Sequence, residues 1–225
     1  MSRTYKQWLL FSALFLSSLV VADQELPPLT EPAVYVSCIS CHGPDGLGSE
    51  AIHAPPIAGQ RADYLDAQLL AFRSGERGGH NADIWARQMA LMARPLSDSD
   101  ISSLAFFLSR QPGWAVPAVK ADQAPTGFAV CGSCHGEKPS AAGDLDVPQL
   151  WGMPSEYLFR QLIAYRDGTR GQRSSEGSPN VMSQIMNSSM TDKVLAEFAD
   201  YLASGVVSST AATAATDRQQ KQLSK

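Results

Sequence analysis

Residues 37–43 read SCISCHG, and the same pattern returns as VCGSCHG at residues 130–136. The two stretches hold all four cysteines, Cys38/Cys41 and Cys131/Cys134, and two of the four histidines, His42 and His135. Sliding the chain against itself by 93 positions, the distance from Cys38 to Cys131, also lays Pro55 on Pro148 and Gly59 on Gly152. At that offset YLDAQLLAFRSGERG (64–78) meets YLFRQLIAYRDGTRG (157–171), and Met89 meets Met182. Further on the offset is 94: Asp98 meets Asp192 and Leu108 meets Leu202, so one residue is inserted shortly after Met182. Self-similarity at a fixed offset marks a duplicated structural unit.

The repeat sets the expected organisation: a first copy over 24–110, a linker over 111–124, a second copy over 125–204 and a disordered tail over 205–225. The linker QPGWAVPAVKADQA carries two prolines, and the tail is Ala/Ser/Thr-rich, then polar, without apolar periodicity. Each copy reads as all-α with three helical segments. In the first, Thr30-Glu31-Pro32 opens a helix carrying AVYVSCISC. Tyr64–Arg73 is amphipathic and stopped by Gly75, and Ser97 with Asp100 forms a capping box before ISSLAFFLS. Ser155 and Thr191 are the expected caps in the second copy, with Gly168 as a stop. No alternating strand pattern is visible. Copies of about 80 residues are small for a self-sufficient core, which calls for a staple or a large bound group.

The front of the chain reads as an export signal, residues 1–22. Arg3 and Lys6 precede the apolar run WLLFSALFLSSLVVA (8–22), short for a membrane span, and Val20-Val21-Ala22 offers a cleavage site. Retention as an uncleaved anchor is the alternative. Work outside the cytoplasm follows, where disulfides are permitted. The net charge of −4 and the lack of a basic stripe argue against a nucleic-acid partner.

Four chemistries use C-x-x-C. Structural zinc pairs its cysteine hairpins about 15–20 residues apart, far closer than these two copies. A redox dithiol expects a βαβ context. Two local disulfides leave the paired histidines unexplained. Covalent haem c accounts for every residue of C-x-x-C-H: Cys38, Cys41, Cys131 and Cys134 carry the thioethers, and His42 and His135 become the proximal iron ligands. Two haem c groups are therefore expected. Met89 and Met182 each follow their histidine by 47 residues. A thioether sulfur there closes the sixth position and raises the potential. Core packing is the competing reading, and Met186 is an alternative to Met182, with Met92 its counterpart in the first copy.

CISCHG, CGSCHG, the runs PPIAG and PQLWG, the paired YL…QL…R.G.RG helices and M…LSD at 89–98 together resemble the dihaem cytochrome c4 family. In the second copy the last motif is the looser M…MTD at 182–192. The resemblance covers about 30–204 and implies two class I cytochrome c domains. It implies a periplasmic location and electron transfer; with the sixth positions closed, neither catalysis nor a small-molecule substrate is expected, only redox partner proteins, with membrane-bound ones among the candidates. It also implies that the carbonyls of Pro55 and Pro148 orient the proximal histidines. The alternative is the dihaem subunit of an oxidoreductase such as a sulfur-compound dehydrogenase. Arg77 and Arg170, which recur before glycines, are candidate partners for haem propionates. His53 and His80 have no counterparts and read as loop histidines.

Overall fold

The computed structural model describes residues 30–116, 124–136, 147–171, 180–186 and 190–203. The expected signal segment, the centre of the linker and the tail lie outside them. The described residues form eight α-helices and no strand, with one isolated bridge between Ser49 and Ala54. In the first copy these are α1 (Val36–His42), α2 (Ala62–Ser74), α3 (Ile84–Ala93) and α4 (Asp98–Ser109). In the second they are α5 (Ala129–His135), α6 (Ser155–Arg166), α7 (Val181–Ile185) and α8 (Asp192–Ala203).

Each core forms where α4 packs on α2, and α8 on α6. Leu65, Phe72, Ile101, Leu104 and Leu108 are buried in the first, Leu158, Phe198, Ala199 and Leu202 in the second. The aromatic pair that closes each core keeps its repeat position and exchanges its hydroxyl. Tyr35 lies 5.3 Å from Phe107, and Phe128 lies 4.8 Å from Tyr201. Tyr35 also donates to the carbonyl of Gly43 at 2.7 Å, fixing the exit of α1, and burial pushes its phenol up to about 12.

Polar fastenings repeat as well. Gly59 N–H donates to Leu108 at 2.8 Å, and Gly152 N–H to Leu202 at 2.9 Å. Arg73 ties α2 to Leu96 O (2.9 Å) and Asp98 (2.6 Å); Arg166 ties α6 to Met190 O (3.1 Å) and Asp192 (2.6 Å). The inserted residue therefore falls between Met182 and Met190 without disturbing this lock.

Ser97 and Asp100 form the expected capping box, and Gly75 ends α2 in the left-handed region at φ 81°. Thr191 Oγ1 accepts from Val194 N–H at 3.4 Å ahead of α8. Gly168, φ 72°, lies just past the α6 cap residue Asp167. Two details differ from the sequence reading. Thr30 caps nothing: Pro32 takes the cap position and a 3-10 turn, Ala33–Tyr35, leads into α1. Ser155 is the first residue of α6 and not its cap, and its hydroxyl bonds Asp200 on α8. A proline precedes the helix in both places, and its fixed φ sets the entry without a side-chain cap. The helices that carry Met89 and Met182, α3 and α7, were not among the three segments expected per copy.

The copies meet through polar side chains. Gln60, 1% exposed, donates to Gln149 O at 3.1 Å and accepts from Gln149 N–H at 3.0 Å. Trp114, in the described part of the linker region, donates to Trp151 O at 2.8 Å.

Candidate haem-binding sites

Cys38 and Cys41 stand three residues apart on α1, one turn along a single face, and His42 is its last residue. Gly43 then leaves the helix at φ 77°, where a Cβ would meet the Asp45 side chain at 2.8 Å. The turn therefore requires the glycine that follows the histidine. The loop beyond is pinned by Gly48 N–H to His42 O (2.9 Å) and by Ile57 and Ala58 N–H to Gly46 O (2.8 and 3.0 Å). It returns Pro55 to the helix end, and the Pro55 carbonyl lies 3.0 Å from His42 Nδ1. Copy two builds the same arrangement on α5: His135 Nδ1 lies 3.2 Å from Pro148 O, and Gly136 takes φ 80°.

A carbonyl only accepts, so Nδ1 of each histidine carries the proton and Nε2 keeps its lone pair. Burial lowers the pKa of both imidazoles, against the smaller opposing pull of the carbonyl bond. Both are thus held neutral, the form a metal takes. Burial likewise pushes the Cys38 and Cys131 thiols up, so both are held as thiols. All four cysteines are unpaired in the structure.

Each motif opens onto its own cavity. The first, about 340 Å³, is lined by Cys38, Cys41, His42 and Pro55, by Leu65 and Phe72 from α2, and by Met89 and Met92 from α3. The second, about 470 Å³, is lined by Cys131, Cys134, His135 and Pro148 and by Met182, Ile185 and Met186. Met89 is half-buried and packs against the first core, whereas Met92 is 43% exposed. In the second copy Met182 is half-buried and Met186, just beyond α7, is 5% exposed. The structure brings Cys, His, Pro carbonyl and Met together twice, and both Met182 and Met186 reach the second cavity. This donor set fits haem c: two thiols on one helical face, a neutral imidazole with a free nitrogen, a thioether, and mostly apolar walls.

The copies complete one another's cavities. Met153, Tyr157, Arg160 and Gln161 from the second copy line the first cavity; Gln60, Asp63, Tyr64 and Gln68 from the first line the second. Arg77 and Arg170 are buried in this boundary. Arg77 donates to Gln68 (2.7 Å), Tyr157 (3.2 Å) and Gln161 (2.8 Å). Arg170 donates to Gln161 (2.7 Å), Tyr64 (2.9 Å) and Gln68 (2.9 Å). The recurrence of Tyr, Gln and Arg at the repeat offset was a signal for this knot, although the two arginines were expected at haem propionates and here bond glutamines and tyrosines. Arg160 has no counterpart and left no such signal. His53 packs its ring 4.5 Å from Trp85 and bonds Glu156 at 2.9 Å. His80 is exposed, bonded to Asn81 at 3.0 Å, and does not line the cavity.

Two helical copies, each wrapped around a cavity fed by C-x-x-C-H and a methionine, define the class: a tandem c-type cytochrome. A family model described as Cytochrome c matches residues 32–111. The thiosulfate dehydrogenase electron acceptor of Thiomonas intermedia (strain K12) is 31% identical over 202 residues, covering 82% of this chain and 85% of that protein. Cytochrome c4 of Azotobacter vinelandii is 28% identical over 73% of this chain and 82% of its own length. The crystal structure of reduced recombinant cytochrome c4 from Pseudomonas stutzeri superposes with a TM-score of 0.56 at 26% identity, covering 75% of this chain and 93% of that one. The chain belongs to the cytochrome c4-like family of dihaem c-type cytochromes: it carries electrons on two haem c groups and is not an enzyme.

Proposed function

We propose that the two sites are held by this chain's residues as follows. Cys38 and Cys41 on α1, and Cys131 and Cys134 on α5, add their S–H bonds across the vinyl groups of one haem each. His42 and His135 ligate iron through Nε2, with the carbonyls of Pro55 and Pro148 fixing tautomer and ring plane. Met89 and Met182 take the sixth positions. The bound haem supplies a one-electron Fe(III)/Fe(II) couple. A thioether that fills the last position leaves no site for substrate, and the apolar walls keep water from the iron. The single observation carrying this reading is the pair of buried histidines whose Nδ1 is taken by a proline carbonyl while their cavities also receive both cysteines and a methionine.

Work in the periplasm, with the first 22 residues as the export signal, is part of the proposal. No helix among the described residues is long and apolar enough to cross a membrane. The test is the pyridine haemochrome of protein exported in a host with haem c maturation. Wild type should carry two low-spin haems per chain. Cys38→Ala/Cys41→Ala should lose one, and Cys131→Ala/Cys134→Ala the other. Two haems retained in either double variant would sink the assignment.

The likeness to a thiosulfate dehydrogenase electron acceptor favours a second, narrower reading: this chain takes electrons from a periplasmic dehydrogenase of sulfur compounds. Anaerobic mixing of the oxidised holoprotein with such an enzyme and thiosulfate should reduce both haems within its turnover time. Reduction no faster than without the enzyme would exclude that partner.

A further inference from the structure

The two cavities differ most, among the described residues, in one charge that crosses between copies. Arg160 stands on α6 of the second copy and lines the first cavity. The residue in its repeat position, 93 earlier, is Ala67 on α2, which lines the second cavity. The other charges nearly cancel: Arg77 and Asp83 line the first cavity, Arg170 and Asp63 the second.

Arg160 is also incompletely bonded. Its Nη2 donates to the carbonyl of His53 at a long 3.4 Å, and its guanidinium carbon stands 5.9 Å from the Trp85 ring. Nε and Nη1 are shut off from solvent with no hydrogen-bond partner. Arg77 and Arg170, by contrast, place both terminal nitrogens in the knot with the glutamines and tyrosines. Buried guanidinium N–H groups left unpaired cost free energy and call for an acceptor. No described protein group supplies one, whereas haem c brings carboxylates, the acceptor that guanidinium best matches.

We propose that Arg160, supplied by the second copy, pairs with a carboxylate of the haem in the first cavity and raises the potential of that haem alone. This rests on the haem assignment above. The oxidised centre carries one more positive charge than the reduced one, so a nearby buried cation, or a carboxylate it neutralises, favours the reduced state. Because the cation comes from the partner domain, docking of the two copies sets the first potential.

An optical redox titration of the full-length holoprotein tests this. In Arg160→Gln, with two covalent low-spin haems retained, one midpoint should fall by on the order of tenfold in equilibrium constant, at 59 mV per tenfold for one electron. Arg160→Lys should restore most of it. Ala67→Arg should raise the other midpoint. If both midpoints stay put in Arg160→Gln, if both move equally, or if lysine behaves as glutamine does, the proposal fails. Should Arg160→Gln not mature, Arg160→Lys must keep the wild-type midpoint and Ala67→Arg must raise the other; failure of either overturns the proposal. A wild-type protein lacking two covalent haems would overturn the site assignment instead.

Discussion

The methionines are where packing and ligation compete within a single side chain. Met89 touches the first core and also lines the first cavity. Met89→Ala should turn one haem of two high-spin, admit carbon monoxide and lower that potential, since a ferrous-favouring thioether is lost. A methionine that only packs would instead cost stability, about 2–5 kcal/mol for a large-to-small change, and leave the spectrum alone. In the second copy the same experiment chooses between neighbours. We expect Met182→Ala to open the sixth position and Met186→Ala to destabilise only. Reversed spectra would make Met186 the ligand. That the motif's cysteines, histidines and glycines come together was legible in sequence, because the proposed thioether chemistry and a positive φ leave few residue choices. The methionine of the second site was less so, because the residue inserted between Met182 and Met190 shifts the register beside it. Arg160 was illegible: its meaning lies in a cavity built mostly by residues of the other copy, and no repeat flags it.

At the scale of elements, the helices read from sequence are those with both a polar start and a one-sided apolar pattern. α4 has both, and its capping box is formed as read. α3 escaped because Ile84, Leu91 and Met92 are apolar yet exposed, which blurs its periodicity. Of the three, only Met92 lines the first cavity, and none is part of the buried core. Its cap, Asp83 accepting from Ala86 N–H at 2.7 Å, lies inside a glycine-rich loop. The α4 cap yields a prediction. Ser97→Ala removes a side-chain acceptor at the helix start and should cost about 1 kcal/mol in chemical denaturation of the holoprotein. The Ser97 hydroxyl, then its backbone N–H, hold the Asp100 carboxyl below its ordinary value. A folded-state value below the unfolded one gives stability that is fully present above pH 4 and lost as pH falls through the lower folded value. Asp100→Asn should therefore lower the melting temperature at pH 7 and converge with wild type in acid. A constant difference down to pH 2 would contradict this.

For the whole molecule, duplication determines more than fold, because each copy's cavity wall is partly the other copy. The centre of the boundary is a four-residue knot: Gln68 and Gln161 each accept from both Arg77 and Arg170. Either glutamine thus satisfies two buried cations at once, one from each copy. Bonds to charged groups contribute about 1.5–3 kcal/mol each, and an unpaired buried donor costs a comparable amount. Gln161→Ala removes two such bonds: Arg170 Nη1 is left without an acceptor, and Arg77 Nη2 keeps only Tyr157. The wild-type holoprotein should unfold in a single calorimetric transition with both haems reporting the same midpoint. In Gln161→Ala the transition should split or broaden. Met→iron absorbance of the two haems should then be lost at different temperatures, with the covalent haem count unchanged. Tyr64→Phe, which removes only one neutral hydroxyl from Arg170, should shift the midpoint by a smaller amount and keep one transition. If Gln161→Ala stays as cooperative as wild type, the knot is not what couples the domains, and the coupling lies with the other cross-copy contacts, Gln60–Gln149, His53–Glu156 and Trp114–Trp151 among them.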